Sequence, residues 1–250
     1  MSTTNDNETF WEHLDDLRSV IIRIGVITLV FAVAAFFFKD WLFSIVFAPK
    51  SSSFITYKLL KGDEFDIFLM NTELTGQFMM HLKVSLVAGI IAASPYIIYE
   101  LFKFISPALY ANEKKYSSHI VFAAYVMFVL GAVVNYFLIF PLTIRFLGTY
   151  EVSNQVSNML TLGSYMNTLL MMTLVFGILF EIPVVSWLLA KFGLIKSKFM
   201  KRYRRHAIVV ILILAAIVTP TSDIFTLTIV FLPIWLLYEI SIIVVKRIEN

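Results

Sequence analysis

Five stretches of this chain, roughly residues 20–38, 78–102, 118–147, 165–190 and 224–245, are apolar over about the ~20 residues a helix needs to cross the ~30 Å hydrocarbon core of a bilayer. A further stretch, residues 207–218, is equally apolar but shorter. Hydrocarbon offers backbone N–H and C=O groups no partner, so such stretches must close their hydrogen bonds within themselves as helices. The chain is therefore expected to be an all-α integral membrane protein with six transmembrane helices. With 59% hydrophobic and 15% charged residues and a mean hydropathy of +0.83, little polar material remains for a soluble domain, so residues 1–250 are expected to form a single transmembrane domain. The absence of cysteine excludes disulfides, thiolate metal sites and a cysteine nucleophile.

The amino-terminal segment does not have the pattern of a cleavable signal. Such a signal begins basic, whereas the first 17 residues hold five acids and no Lys or Arg. Phe10, Trp11, Leu14, Leu17 and Ile21 recur at three- and four-residue steps, with Glu8, Glu12, Asp15 and Asp16 on other faces and Thr9 and Glu12 at capping-box spacing. An amphipathic helix over residues 8–18, lying at the membrane surface ahead of the first span, is expected. Basic residues flanking spans stay on the cytoplasmic side. With the amino terminus inside, the alternating flanks place fourteen Lys and Arg inside and five outside, leaving only Lys83 unassigned. Both termini and loops 103–117 and 191–206 are then cytoplasmic, and loops 39–77, 148–164 and 219–223 extracytoplasmic.

Two departures from ordinary spans shape the expected bundle. At 1.5 Å per residue, stretch 207–218 covers only ~18 Å, which calls for a locally thinned bilayer or for snorkelling by Lys201, Arg202, Arg204 and Arg205. Pro95, Pro141, Pro183 and Pro233 fall within the second, third, fourth and sixth spans, and each removes a helical hydrogen bond. Kinked helices around a concave face are expected.

Charge at membrane depth is costly and marks function. Glu181 lies near the midplane. It either satisfies backbone freed by Pro183 or offers a polar foothold to a substrate or partner helix. Glu100 and Glu239, nearer the cytoplasmic ends, read as structural. Glu113 is the only acid in a loop that also carries Lys103, Lys114 and Lys115, and it either pairs with them or is held for an incoming cation. Asp15 and Asp16 beside Arg18 pose the same choice. His13, His81, His119 and His206 are scattered without metal-ligand or triad spacing, and nucleophile-elbow and phosphate-loop motifs are absent, so no enzyme, cofactor or metal is expected. The basic run 196–205, with Phe199 and Tyr203 interleaved, sits between two spans and reads as an anchor facing anionic lipid, not as a nucleic-acid site.

Several short motifs occur together in order: His13-Leu-Asp-Asp-Leu-Arg18, Ser94-Pro-Tyr, Phe104-Ile-Ser-Pro-Ala-Leu-Tyr110 with Glu113 three residues on, Phe180-Glu181-x-Pro183, and Thr219-Pro220 followed by Asp223. In this they resemble the TatC family, the polytopic subunit of the twin-arginine protein translocase, from about residue 10 to residue 240. The resemblance implies six kinked helices in a concave, glove-like receptor of the bacterial inner membrane that binds the signal peptides of folded cargo. It also implies single-span TatA/TatB-type partners, a homo-oligomer within a larger complex, and transport driven by the proton-motive force. The family's signal-peptide site maps to Asp16, Arg18, Phe104 and Glu113. Paired guanidinium forks are accepted bidentately by carboxylates, a geometry that lysine reproduces poorly. Glu181 maps to the concave face, and Thr219, Pro220 and Asp223 to the outer ends of the fifth and sixth helices, where a partner helix docks. Pro49 matches a family position in the first outer loop. Two departures stand out: Asp16 replaces a common Glu, and Leu227 replaces a common glutamine, which shifts the expected polar contact to Thr226 or Thr228. The rival reading is a small ion-coupled secondary transporter with Glu181 as its coupling-ion ligand; such proteins show repeated halves, and only a loose recurrence of Pro and Glu is present here.

Overall fold

Where the residue pattern suggests a surface helix followed by a separate span, a computed structural model has one unbroken helix, α1 (Asn5–Phe37). Neither Gly nor Pro stands between residues 5 and 24, so nothing ends the hydrogen-bond ladder at the membrane surface. The structure describes residues 5–59, 65, 67–105, 117–150, 159–219 and 223–249. After α1 come α2 (Lys39–Phe47), a 3₁₀ turn (Ala48–Lys50), α3 (Ile55–Leu59), β1 (Leu69–Met70) and α4 (Gly76–Ile105). The third span is α5 (Ser117–Val134), a π-helical turn (Asn135–Ile139) and α6 (Phe140–Thr149). β2 (Leu160–Thr161), α7 (Leu162–Leu179), α8 (Ile182–Lys191), α9 (Ser197–Arg202), α10 (Arg204–Val218) and α11 (Ile224–Glu249) complete the described chain. α8 stops where Gly193 takes a φ of 71°, a conformation that other residues rarely adopt.

Five spans among the described residues are long and apolar enough to cross a bilayer. The remaining helix, α10, begins at Arg204 rather than at residue 207, and its 15 residues still reach only about 22 Å. Prolines act unequally. Pro95 and Pro233 lie inside continuous helices, whereas Pro141 follows the π turn and Pro183 follows the break at Phe180 and Glu181. A proline at position i leaves the carbonyl at i−4 without its N–H donor. For Pro95 that is the Ile91 carbonyl, which accepts from the Ser94 hydroxyl at 2.7 Å. For Pro141 it is the Phe137 carbonyl, which accepts from the Thr56 hydroxyl of α3.

The helices approach one another at glycines. A Cβ on Gly89 would lie 2.6 Å from the Ala32 nitrogen, and one on Gly131 would lie 2.9 Å from both the Phe176 carbonyl carbon and the Phe180 Cβ. These contacts bring α1 against α4 and α5 against α7. The core between them is filled by Ile139, Phe140, Tyr165, Met166, Phe176 and Ile234, all essentially inaccessible. The opposite face of α1, with Ile21, Val26, Leu29 and Val30, is exposed and apolar, as a lipid-facing surface should be.

The end of the bundle where α1 stops is closed by the described residues of the 39–77 segment, the end that the basic-residue count expects to be outer. Its backbone carbonyls need donors. Tyr165 and Tyr136 donate their hydroxyls to Val46 and Ile45 at 2.9 and 2.7 Å, and the Tyr57 hydroxyl lies 2.9 Å from both the Pro49 and Pro141 carbonyls. β1 and β2 pair in parallel, Leu69 with Leu160 and Met70 with Thr161. Lys83 donates to Asn167 at 2.9 Å and ties α4 to α7.

Candidate functional site

α1 and α4 run antiparallel, and two contacts fix their register. Ala32 faces Gly89, and further inward Arg23 Nη2 lies 3.2 Å from Glu100 Oε2. Glu100 is 4% exposed, so Arg23 compensates a carboxylate that would otherwise be buried and charged. The same register, continued for somewhat more than a turn, brings Arg18 level with Phe104 at the end of α4. Asp16 and Arg18 are exposed there, and Phe104 is half-buried. Glu113 lies outside the described residues. At the same end Arg204 donates to Glu239 at 2.8 Å, joining α10 to α11. Both carboxylates read from the sequence as structural, Glu100 and Glu239, are thus each paired with an arginine.

Glu181 occupies the break between α7 and α8. Its backbone N–H donates to the Ile178 carbonyl at 3.0 Å, and its own carbonyl accepts from Val185 at 2.9 Å. The side chain takes no part in capping α8, and its buried Oε1 has no hydrogen-bond partner among the described residues. Among the described residues, Oε1 therefore does not serve the backbone that Pro183 frees. The ten residues from Glu181 to Lys191 measure about 15 Å, half of a ~30 Å hydrocarbon core, so the carboxyl sits near mid-depth. Two turns toward the outer end, Asn135 Nδ2 donates to Thr173 Oγ1 at 3.0 Å, and Thr173 in turn donates to the Leu169 carbonyl at 2.7 Å. The buried interface between the third span and α7 thus carries a second polar locus, which the sequence reading passed over. An asparagine within the third span, at a depth where polar groups are scarce, was the signal.

At the outer end, Asp223 Oδ1 accepts the Thr226 N–H at 2.7 Å, the geometry of an N-cap on α11. Thr226 is fully buried, and its hydroxyl lacks a partner among the described residues. Thr228, the alternative polar contact, is exposed and donates to the Ile224 carbonyl. Leu227 packs against the core. Thr219 is buried and continues the hydrogen bonding of α10 through its N–H to Ala215 at 3.0 Å. Pro220 lies outside the described residues. Pro49 is buried in the 3₁₀ turn, its carbonyl serving Tyr57. No group of His, Asp and Glu able to hold a metal occurs among the described residues.

A family model described as "Sec-independent protein translocase protein (TatC)" matches residues 12–233. The chain belongs to the TatC family. Among curated TatC proteins, that of Blattabacterium sp. subsp. Periplaneta americana is 33% identical, with 97% of this chain and 96% of the relative covered. The TatC of Carboxydothermus hydrogenoformans is 34% identical, covering 96% and 94%. A crystal structure titled "Twin Arginine Translocase Receptor- TatC" superposes with a TM-score of 0.81 at 31% identity, covering 95% of this chain and all of that one. A second, in the detergent DDM, gives a TM-score of 0.81 at 32% identity over 94% of this chain.

TatC is a translocase family, not an enzyme family. Within the TatC fold of this chain, Asp16 and Arg18 on α1 lie level with Phe104 at the end of α4, Glu181 stands at the break between α7 and α8, and Thr219, Asp223 and Thr226 lie at the α10–α11 junction at the opposite end. These are three separated places, not one constellation. Asp223 and Thr226 also carry a local structural role, capping α11, which the sequence reading did not weigh.

Proposed function

We propose that this chain is the receptor subunit of a twin-arginine translocase in a bacterial inner membrane, with both termini in the cytoplasm. The observation that carries this reading is the likeness, over 95% of the chain, to crystal structures titled as the twin-arginine translocase receptor. Asp16, Glu113 and Phe104, with Arg18 ordering the acids, take the paired arginines of a signal peptide at the cytoplasmic end. The apolar part of the peptide then lies along the concave wall toward Glu181, a carboxyl with bonding capacity to spare. Single-span partners of TatA/TatB type dock at the outer ends of α10 and α11, near Thr219, Pro220, Asp223 and Thr226, and the complete translocase contains several copies of this chain. Folded cargo moves at the expense of the proton-motive force. The excess of Lys and Arg in loops 103–117 and 191–206 supports this orientation.

Basic neighbours repel an arginine pair within a Debye length of ~8 Å, so capture depends on individual carboxylates rather than on an acidic field. The test is a photocrosslinker at position 103, beside the site, presented with an Arg-Arg signal peptide and its Lys-Lys control. Crosslinking is expected only with Arg-Arg, and Glu113→Lys, read from the same crosslinker, is expected to abolish it without impairing membrane insertion. Undiminished crosslinking in Glu113→Lys would overturn the reading.

A further inference from the structure

Apart from the concave wall, a groove of about 570 Å³ runs between α5 and α11 along α8. Its walls are apolar, formed by residues such as Met127, Val184, Leu188 and Val244. Its ionisable lining side chains are His119 and Lys191, and both lie at one mouth: His119 in the first turn of α5, Lys191 at the last residue of the antiparallel α8. Lys191 Nζ stands 5.9 Å from the centre of the Trp187 ring, which holds the ammonium over the opening. Neither of the two ion pairs among the described residues engages it.

The groove's depth points to its occupant. Met127 is eight residues from His119, and Pro183 eight from Lys191, so along either helix the groove descends about 12 Å. That matches one leaflet, ~15 Å of a ~30 Å hydrocarbon core, and falls well short of what a spanning partner helix would fill. We propose that this groove holds an anionic phospholipid of the leaflet at the 191–206 end, with its phosphate on Lys191 and His119 and an acyl chain along α8. A basic pocket between helices, apolar below and cationic at the headgroup level, is the arrangement that selects anionic lipid over zwitterionic lipid. The site is independent of the signal-peptide reading, since it uses none of the same residues.

Trp187 supplies a reporter. The full chain carrying Trp11→Phe, Trp41→Phe and Trp235→Phe is reconstituted in phosphatidylcholine vesicles containing a minor fraction of brominated-chain phosphatidylglycerol, or an equal fraction of brominated phosphatidylcholine. Stronger quenching by the phosphatidylglycerol is expected, and Lys191→Gln with His119→Gln should reduce it to the phosphatidylcholine level. Equal quenching by the two lipids, or a preference that survives both substitutions, overturns the proposal. Quenching by neither also overturns it, because the groove is then covered by protein. Native mass spectrometry of the chain with all its tryptophans gives a second readout: retained phosphatidylglycerol should fall about five-fold in Lys191→Gln.

Discussion

Gly131→Ala adds a single methyl group at the closest approach of α5 and α7. The new Cβ would lie 2.9 Å from the Phe176 carbonyl carbon and from the Phe180 Cβ. Nearer still is the Phe176 carbonyl oxygen, which as backbone cannot rotate away, so reaching comfortable contact parts the helices by roughly 1 Å. One turn along, Asn135 donates to Thr173 at 3.0 Å, and the same displacement stretches that bond beyond useful geometry. Overpacking costs about 1–3 kcal/mol and an interhelical hydrogen bond in a membrane about 0.6 kcal/mol, while alanine regains up to ~1 kcal/mol of helix propensity; the net loss is roughly 1–3 kcal/mol. The control is Gly25→Ala, where a Cβ meets nothing within 4 Å; it should be neutral or stabilising by up to ~1 kcal/mol. The assay is SDS-induced unfolding from nonionic detergent, followed by near-ultraviolet circular dichroism. If Gly131→Ala proves as stable as Gly25→Ala, the close packing inferred between α5 and α7 is wrong.

Tyr57→Phe removes the donor shared by the Pro49 and Pro141 carbonyls and should cost about 1–3 kcal/mol in the same unfolding assay. Burial, outweighing nearby Arg145, raises the Tyr57 phenol above its usual 10.0, so its contribution is intact below that pH and declines as pH rises past it. Tyr57→Phe should flatten the alkaline loss of stability, and parallel curves for the two proteins would count against this. Arg23→Ala strands the buried Glu100 carboxylate, so it should destabilise more than Glu100→Gln, with a coupling between the two sites of about 1–3 kcal/mol; simple additivity in the double variant would mean the pair contributes nothing. Glu181→Gln breaks no hydrogen bond at Oε1 and should change stability by less than about 0.5 kcal/mol while slowing transport driven by the proton-motive force. Unchanged transport in energised vesicles would refute a proton role for this carboxyl.

The spans were legible because lipid imposes length and apolarity together, but their ends were not. Apolarity stops at Ala207 and at Val20, whereas the helices continue through Arg204 and outward to Asn5, since arginine and glutamate remain helix formers once they reach water and neither Gly nor Pro interrupts either extension. The positions of the prolines were plain, but their effects were not: whether a freed carbonyl finds Ser94 next to it or Thr56 from a distant loop depends on tertiary structure. Glu181 stood out by its depth alone. The pairs Asn135 with Thr173 and Lys83 with Asn167 join residues far apart in the chain, and no local pattern announces them. The capping role of Asp223 is legible in its spacing from Thr226, since an acid three residues ahead of a helical N–H is a cap in any sequence.

The outer cap has a mechanical consequence. Four hydroxyls, those of Tyr57, Tyr136, Tyr165 and Thr56, make five contacts with backbone carbonyls that, together with the β1–β2 pairing, fasten the segment after α1 to the third span and α7. At the other end, Arg23 and Arg204, both substantially exposed to solvent, pair with Glu100 and Glu239, while the Glu249 carboxylate accepts from Ser197 and the Tyr238 hydroxyl donates to the Met200 carbonyl. α4 has 30 residues, about 45 Å of rigid rod, so a tilt of only about 5° about its outer end carries Phe104 through roughly 4 Å. Because α4 ends just past Phe104 while α1 carries Asp16 and Arg18 alongside, a small tilt of α4 against α1 becomes a large change of spacing among these residues.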